Sequence, residues 1–215
     1  MSTRLVIGNK NYSSWSLRPW LLLRHFDVPF EEILLPLDTP EFHERIGPLS
    51  PSRRVPALHD GELVVWDSLA ICEYANERWL DGRGWPADRA RRALARSVAA
   101  EMHSGFPALR GQLPMNLRRQ PREPHWDESA RRDIERVQSI WTGLRGQAGD
   151  GDFLFGAFGI ADAMYAPVCA RFRSYGVPLE PACAAYVEAV FALPAMREWL
   201  ASALAETARV AADEA

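Results

Sequence analysis

Arg54-Val55-Pro56-Ala57-Leu58, and after Asp60-Gly61 the run Val64-Val65-Trp66-Asp67-Ser68-Leu69-Ala70-Ile71, are the stretches that decide the fold. Proline has no amide hydrogen and holds the residue before it extended. Pro56 therefore suits the first residue of an edge strand, where Val55 can offer its N–H and C=O outward. A ligand backbone can pair there as an added strand. Asp67-Ser68 ends an apolar strand directly before an apolar helix that starts near Leu69. The free N–H groups and positive dipole of a helix start favour a carboxylate, and the Asp67 side chain can receive an ammonium. Together the two stretches describe a site for a small extended peptide with a zwitterionic α-amino acid end.

Arg4-Leu5-Val6-Ile7-Gly8 is short, β-branched and ended by glycine, which predicts a buried strand. A polar loop, Asn11-Tyr12-Ser13-Ser14-Trp15-Ser16, leads into a helix from Leu17 to Phe26 with Pro19 in its first turn. Phe30 to Leu35 reads as a second strand, parallel to the first by the crossover rule. Ala57-Leu58 and Leu63-Val64-Val65 flank His59-Asp60-Gly61-Glu62, an Asp-Gly hairpin signal. A helix from Leu69 to about Trp79 closes this half.

The glycine- and proline-rich Asp81-Gly82-Arg83-Gly84-Trp85-Pro86 marks a boundary. It divides the chain into a first domain over 1–81, a linker over 82–87 and a second domain over 88–215. Beyond it the apolar spacing is helical: Asp88 to Gly105, Glu128 to Gln147, Ala182 to Leu193 and Pro194 to Ala212. Ile160 to Tyr175 is almost wholly apolar and belongs inside a bundle. The fold class is α/β followed by all-α.

At 215 residues and 24.2 kDa the chain has room for two small domains, and 47% hydrophobic residues supply a core. A net charge of −3 and a pI near 6.0 give no global attraction to nucleic acid or to an anionic membrane. No stretch approaches the roughly 18 to 20 apolar residues of a membrane span, and no secretory signal opens the chain, so a cytoplasmic protein is expected. Cys72, Cys169 and Cys183 are odd in number and lack metal or dithiol spacing. They are expected to be buried free thiols, with no metal site.

Ser13, Ser14 and Ser16 stand between the first strand and its helix. A hydroxyl there can donate to a thiolate held near the helix N-terminus, where the dipole and free N–H groups also favour the anion. A thiol of pKa about 8.5 then ionises nearer neutrality. The same serines are also ordinary N-caps. A serine hydrolase requires a nucleophile elbow and a base. No Gly-x-Ser-x-Gly occurs, and His25, His43, His59, His103 and His125 are scattered. A thiol-disulfide oxidoreductase requires a cysteine where these serines stand.

With these residues in place the chain resembles the cytosolic glutathione S-transferases from end to end. The resemblance implies a thioredoxin-like first domain, an all-helical second domain and a homodimer. It implies glutathione as cosubstrate, with its cysteinyl backbone on Val55 before a cis Pro56 and its γ-glutamyl end on Asp67-Ser68. Arg54 is a candidate for the glycine carboxylate and Ser16 for a further glutathione contact. Ser13-Ser14-Trp15-Ser16-Leu17-Arg18 looks like the pattern of the zeta class, which includes maleylacetoacetate isomerases and carries a cysteine at the place of Trp15. Counting from Arg18 by the zeta spacing selects Ser13 as the thiolate donor, and by the theta spacing Ser14. Ser14, nearer the helix start, is favoured.

Phe153-Leu154-Phe155-Gly156 and Ile160-Ala161-Asp162-Ala163-Met164-Tyr165-Ala166-Pro167 are similar to the second-domain signature. Gly159 replaces its usual capping Ser or Thr, and Asp162 is expected to keep the helix capped. Tyr12, Trp15, Met102, His103, Phe106 and Met115 are the candidates for the electrophile site. The implied activity is conjugation of glutathione to a small electrophile, of the detoxification type. The alternatives are glutathione-dependent cis-trans isomerisation and a non-catalytic protein that binds glutathione or a partner.

Overall fold

The computed structural model describes residues 3–120 and 125–214. Four strands, β1 (Arg4–Ile7), β2 (Glu31–Leu34), β3 (Ala57–Asp60) and β4 (Leu63–Trp66), form one sheet in the order β2-β1-β3-β4. β1 runs parallel to β2, whereas β3 is antiparallel to both β1 and β4. Alternation along β1 sends Leu5 and Ile7 to one face and Val6 to the other. Helices α1 (Ser14–His25) and α3 (Ser68–Arg78) cover the Leu5/Ile7 face. Val6, Ala57 and Leu35 meet Ile46 of α2 (Pro40–Leu49) on the opposite face.

The second half holds α4 (Arg89–Ser104), α5 (Pro107–Gln112), α6 (Glu128–Arg145), α7 (Ile160–Tyr175), α8 (Pro181–Ala192) and α9 (Pro194–Ala205). α7 is buried along almost its whole length and packs on α1, α4 and α8, so one hydrophobic core runs through both halves. This docking sets α1 and α7 face to face. Among the described residues no helix is long and apolar enough to cross a membrane.

Three expectations are corrected. The first helix starts at Ser14 rather than Leu17, because Ser13 caps it and its Oγ accepts from Ser16 N at 3.3 Å. Two helices, α2 and α5, lie where none is expected. α9 ends at Ala205 rather than Ala212, and the rest of the tail crosses to the turn before α1. There Glu206 accepts Lys10 N at 2.7 Å and Asn11 N at 3.0 Å, and Trp199 Nε1 donates to Lys10 O at 2.9 Å.

The linker and α7 meet at two glycines. Ile160 N donates to Gly84 O at 2.9 Å, and a Cβ on Gly159 would lie 2.7 Å from that carbonyl. Glycine replaces the usual capping residue because a side chain has no room. Asp162 does the capping: its Oδ2 accepts from Gly159 N at 2.9 Å.

Candidate active-site cleft

Two cavities meet at Trp15, Arg54 and Val55. The smaller, about 350 Å³, is floored by Pro56, Trp66, Asp67 and Ser68. The larger, about 410 Å³, is bounded by Tyr12, Ser13 and Ser14 on one side and by Arg110, Met115 and Arg171 on the other. The first takes its walls from the sheet domain alone. The second lies between the sheet domain and the helical bundle.

Val55 precedes a cis bond to Pro56, and its N–H and C=O take no backbone partner among the described residues. It therefore presents both groups to the junction of the cavities. Asp67 has a φ of 76° at the sharp passage from β4 to α3 and caps that helix. Its Oδ1 accepts Leu69 N at 2.9 Å and Ala70 N at 3.2 Å. Ser68 is buried and receives Arg18 Nη1 at 3.4 Å.

The three serines separate clearly. Ser13 Oγ donates to Ser16 Oγ at 2.7 Å, and Ser16 Oγ also accepts Gly8 N at 3.1 Å. Ser13's single hydrogen is thus committed. Ser16 is fully buried and ties α1 to the end of β1, so it reaches neither cavity. Ser14 Oγ accepts from Arg171 Nη2 at 3.4 Å and lines the larger cavity.

Trp15 is 37% exposed and contacts two guanidinium groups, Arg18 at 4.2 Å and Arg110 at 4.8 Å from its ring centroid. Burial pushes Arg18 down to about 9 and Arg171 down to about 10, and lowers Arg110 as well. For Arg18, the nearby Arg110 and Arg171 charges add to the effect. All three stay charged at neutral pH. Among the described residues, none of them has a carboxylate within ion-pair distance.

The other expected electrophile contacts divide. Tyr12 and Met115 line the larger cavity, the Tyr12 hydroxyl being bonded to Glu214 and Arg118. Met102 is fully buried and Phe106 nearly so, and both sit in the core rather than the cavity. Helical spacing marks an apolar face without saying what covers it, and here other core side chains do. His103 turns its Nε2 to Asp67 Oδ2 at 3.0 Å and its ring edge to Trp15. Arg110, Arg171 and Asp213 are cavity residues absent from the sequence expectations. Among the described residues no group of three or more His, Cys, Asp or Glu is placed to hold a metal.

A thioredoxin-like mixed sheet joined to a helical bundle, with the cleft at the junction, is the architecture of a glutathione transferase. Family models described as the glutathione S-transferase N-terminal and C-terminal domains match residues 12–78 and 127–202. A maleylacetoacetate isomerase of Pseudomonas aeruginosa is 31% identical over 206 residues, covering 91% of this chain and 94% of that protein. The Rattus norvegicus protein of the same name is 28% identical over 170 residues, 78% of this chain and 77% of its own. A solved glutathione transferase homolog from Burkholderia GL BGR1, with bound glutathione, superposes with a TM-score of 0.73 at 26% identity, covering 94% of this chain and 98% of that one. The chain belongs to the glutathione S-transferase family.

Proposed function

We propose that the protein is a glutathione transferase. It lays the tripeptide along Val55, with the γ-glutamyl end at Asp67-Ser68 and the sulfur at Ser14, and conjugates that sulfur to a small electrophile in the larger cavity. One observation carries this reading: Ser14 opens onto the cavity with its hydrogen uncommitted, while the Ser13 and Ser16 hydroxyls bond each other. A hydroxyl with a free hydrogen at a helix start stabilises the thiolate and not the thiol. The enzyme contributes ionisation and positioning, and the thiolate makes the bond to the electrophile. Arg54, exposed at the junction, serves the glycine carboxylate. The protein acts as a cytoplasmic homodimer on this reading.

The test is binding followed by titration. Glutathione should bind, and the ultraviolet absorbance of its thiolate in the complex should appear at lower pH than in buffer. A bound thiol that ionises no more readily than the free one overturns the assignment.

A second reading, glutathione-dependent cis-trans isomerisation, is favoured by the isomerase relatives that span most of the chain. Against it stands Trp15 at the place of the zeta cysteine, its ring in contact with Arg18 and Arg110. Parallel assays of conjugation and of maleylacetoacetate isomerisation separate the two.

A further inference from the structure

Arg171 lies in the interior of the largely apolar α7 and is only 5% exposed. Its Nε donates to Leu113 O at 2.7 Å and its Nη2 to Ser14 Oγ at 3.4 Å, while Nη1 is buried without an acceptor. A buried guanidinium left partly unbonded is costly, and its retention calls for a compensating anion.

The charged groups facing it do not provide one. Arg110 of α5 adds positive charge. Asp213, on the C-terminal turn, contributes an opposing charge but, among the described residues, forms no ion pair with it, and Tyr175 on its own helix is a phenol raised by burial. Elsewhere on the cavity Arg53 and Arg54 outweigh Asp38, and Arg18 stands across Trp15. The cavity next to Ser14 therefore carries surplus positive charge.

The bond to Ser14 gives that charge a direction. A hydroxyl has one hydrogen and two acceptor positions. Arg171 occupies one of the acceptor positions, so the hydrogen points away from it, and no acceptor among the described residues meets it.

We propose that Arg171 is a positioning residue for the glutathione sulfur: it turns the Ser14 hydrogen toward the sulfur and sets behind it a positive charge that no ion pair neutralises. The thiol releases its proton to solvent and the anion remains between serine and cavity. This rests on the glutathione reading of the cleft and adds a residue of the helical bundle to thiolate formation. The sheet domain holds the peptide, and the docking of α7 on α1 adjusts its acidity.

The experiment is the thiolate titration of the glutathione complex, with affinity measured alongside. Arg171→Gln should move the midpoint up by about one unit, the usual effect of removing a nearby opposite charge. Arg171→Lys should restore most of it. Asp213→Asn should move the midpoint down, because the charge opposing Arg171 is lost. The pH profile of kcat/KM should be displaced in Arg171→Gln, not scaled down at every pH.

An Arg171→Gln complex that titrates at the wild-type midpoint overturns the proposal. This includes the case in which only the KM of a carboxylate-bearing electrophile rises, which makes Arg171 a cosubstrate contact instead. Should Arg171→Gln fail to fold, Asp213→Asn decides, and an unmoved midpoint there overturns the proposal. If Ser14→Ala also leaves the midpoint unmoved, the sulfur is not at Ser14, and the reading of the cleft falls together with this inference. If Ser14→Ala moves it and Arg171→Gln does not, only the inference falls.

Discussion

Asp67 Oδ2 lies 3.0 Å from His103 Nε2, so a side chain of the helical bundle occupies the carboxylate that the sequence reserves for a ligand ammonium. Burial holds His103 below the usual imidazole range, with the Asp67 charge pulling in the opposite direction. At neutral pH the ring is neutral and donates one hydrogen bond, leaving most of the Asp67 charge for an incoming amine.

Acidification should change that balance. Glutathione's own groups do not titrate between about pH 5 and 7, whereas His103, held below the usual imidazole range, gains its proton on acidification and then neutralises Asp67. Glutathione affinity is expected to weaken severalfold as pH falls through this window, and His103→Gln should flatten the dependence. Calorimetric Kd values at three pH values check it. Equal slopes in the two proteins would remove His103 from the argument.

Ser14→Ala should lower conjugating kcat/KM by about 10- to 100-fold at neutral pH through a higher thiol pKa, with glutathione affinity little changed. Ser13→Ala removes the cap of α1 and should cost about 1 kcal/mol of stability while leaving most of the activity. The two variants assayed together decide the donor: activity that survives in Ser14→Ala and vanishes in Ser13→Ala reverses the assignment.

Asp162 is raised to about 6 by burial, against hydrogen bonds from Leu154 N, Gly159 N and the Tyr186 hydroxyl. A carboxyl whose folded pKa lies above its unfolded value favours the fold below about pH 4. That contribution is lost as pH rises to about 6, and is about 3 kcal/mol in all. Asp162→Asn should remove this slope. Urea denaturation of both proteins at pH 4, 5, 6 and 7 measures it as a difference, which cancels the titration of other carboxylates.

Gly159→Ser restores the customary capping residue, yet it should destabilise the protein by about 1 to 3 kcal/mol. The new Cβ meets Gly84 O at 2.7 Å, and overpacking of that kind outweighs the few tenths of a kcal/mol a serine cap gains over glycine. Thermal unfolding provides the comparison. A stabilised variant would show that the linker yields easily.

The path of the first domain is legible because each of its signals is local: the β-branched run at Leu5 to Ile7, the Asp60-Gly61 turn, the extended residue before Pro56 and the cap at Asp67. Helix α2 is obscured by Gly47 and Pro48 at its end, although Thr39-Pro40 is a valid start signal. The serines misplace the start of α1 because their side chains favour turns and caps over helix interiors. Here Ser16 finds its partners in Ser13 and Gly8 instead. The positive side of the cleft is the least legible part. Arg171 and Ser14 are 157 positions apart, and nothing near either residue announces the other. The one available signal is a charge in the interior of the largely apolar α7.

The clasp that Glu206 places on Lys10 and Asn11 joins residues 196 and 195 positions apart. A ribosome thus delivers the turn ahead of Ser13 nearly two hundred residues before the groups that steady it. A polypeptide halted at Ala205 would retain both regions by which its family is recognised, 12–78 and 127–202. It would nonetheless lack the grip on the turn leading to Ser14, the hydroxyl proposed to hold the sulfur. Competence for chemistry is therefore expected to emerge later in biosynthesis than the fold itself.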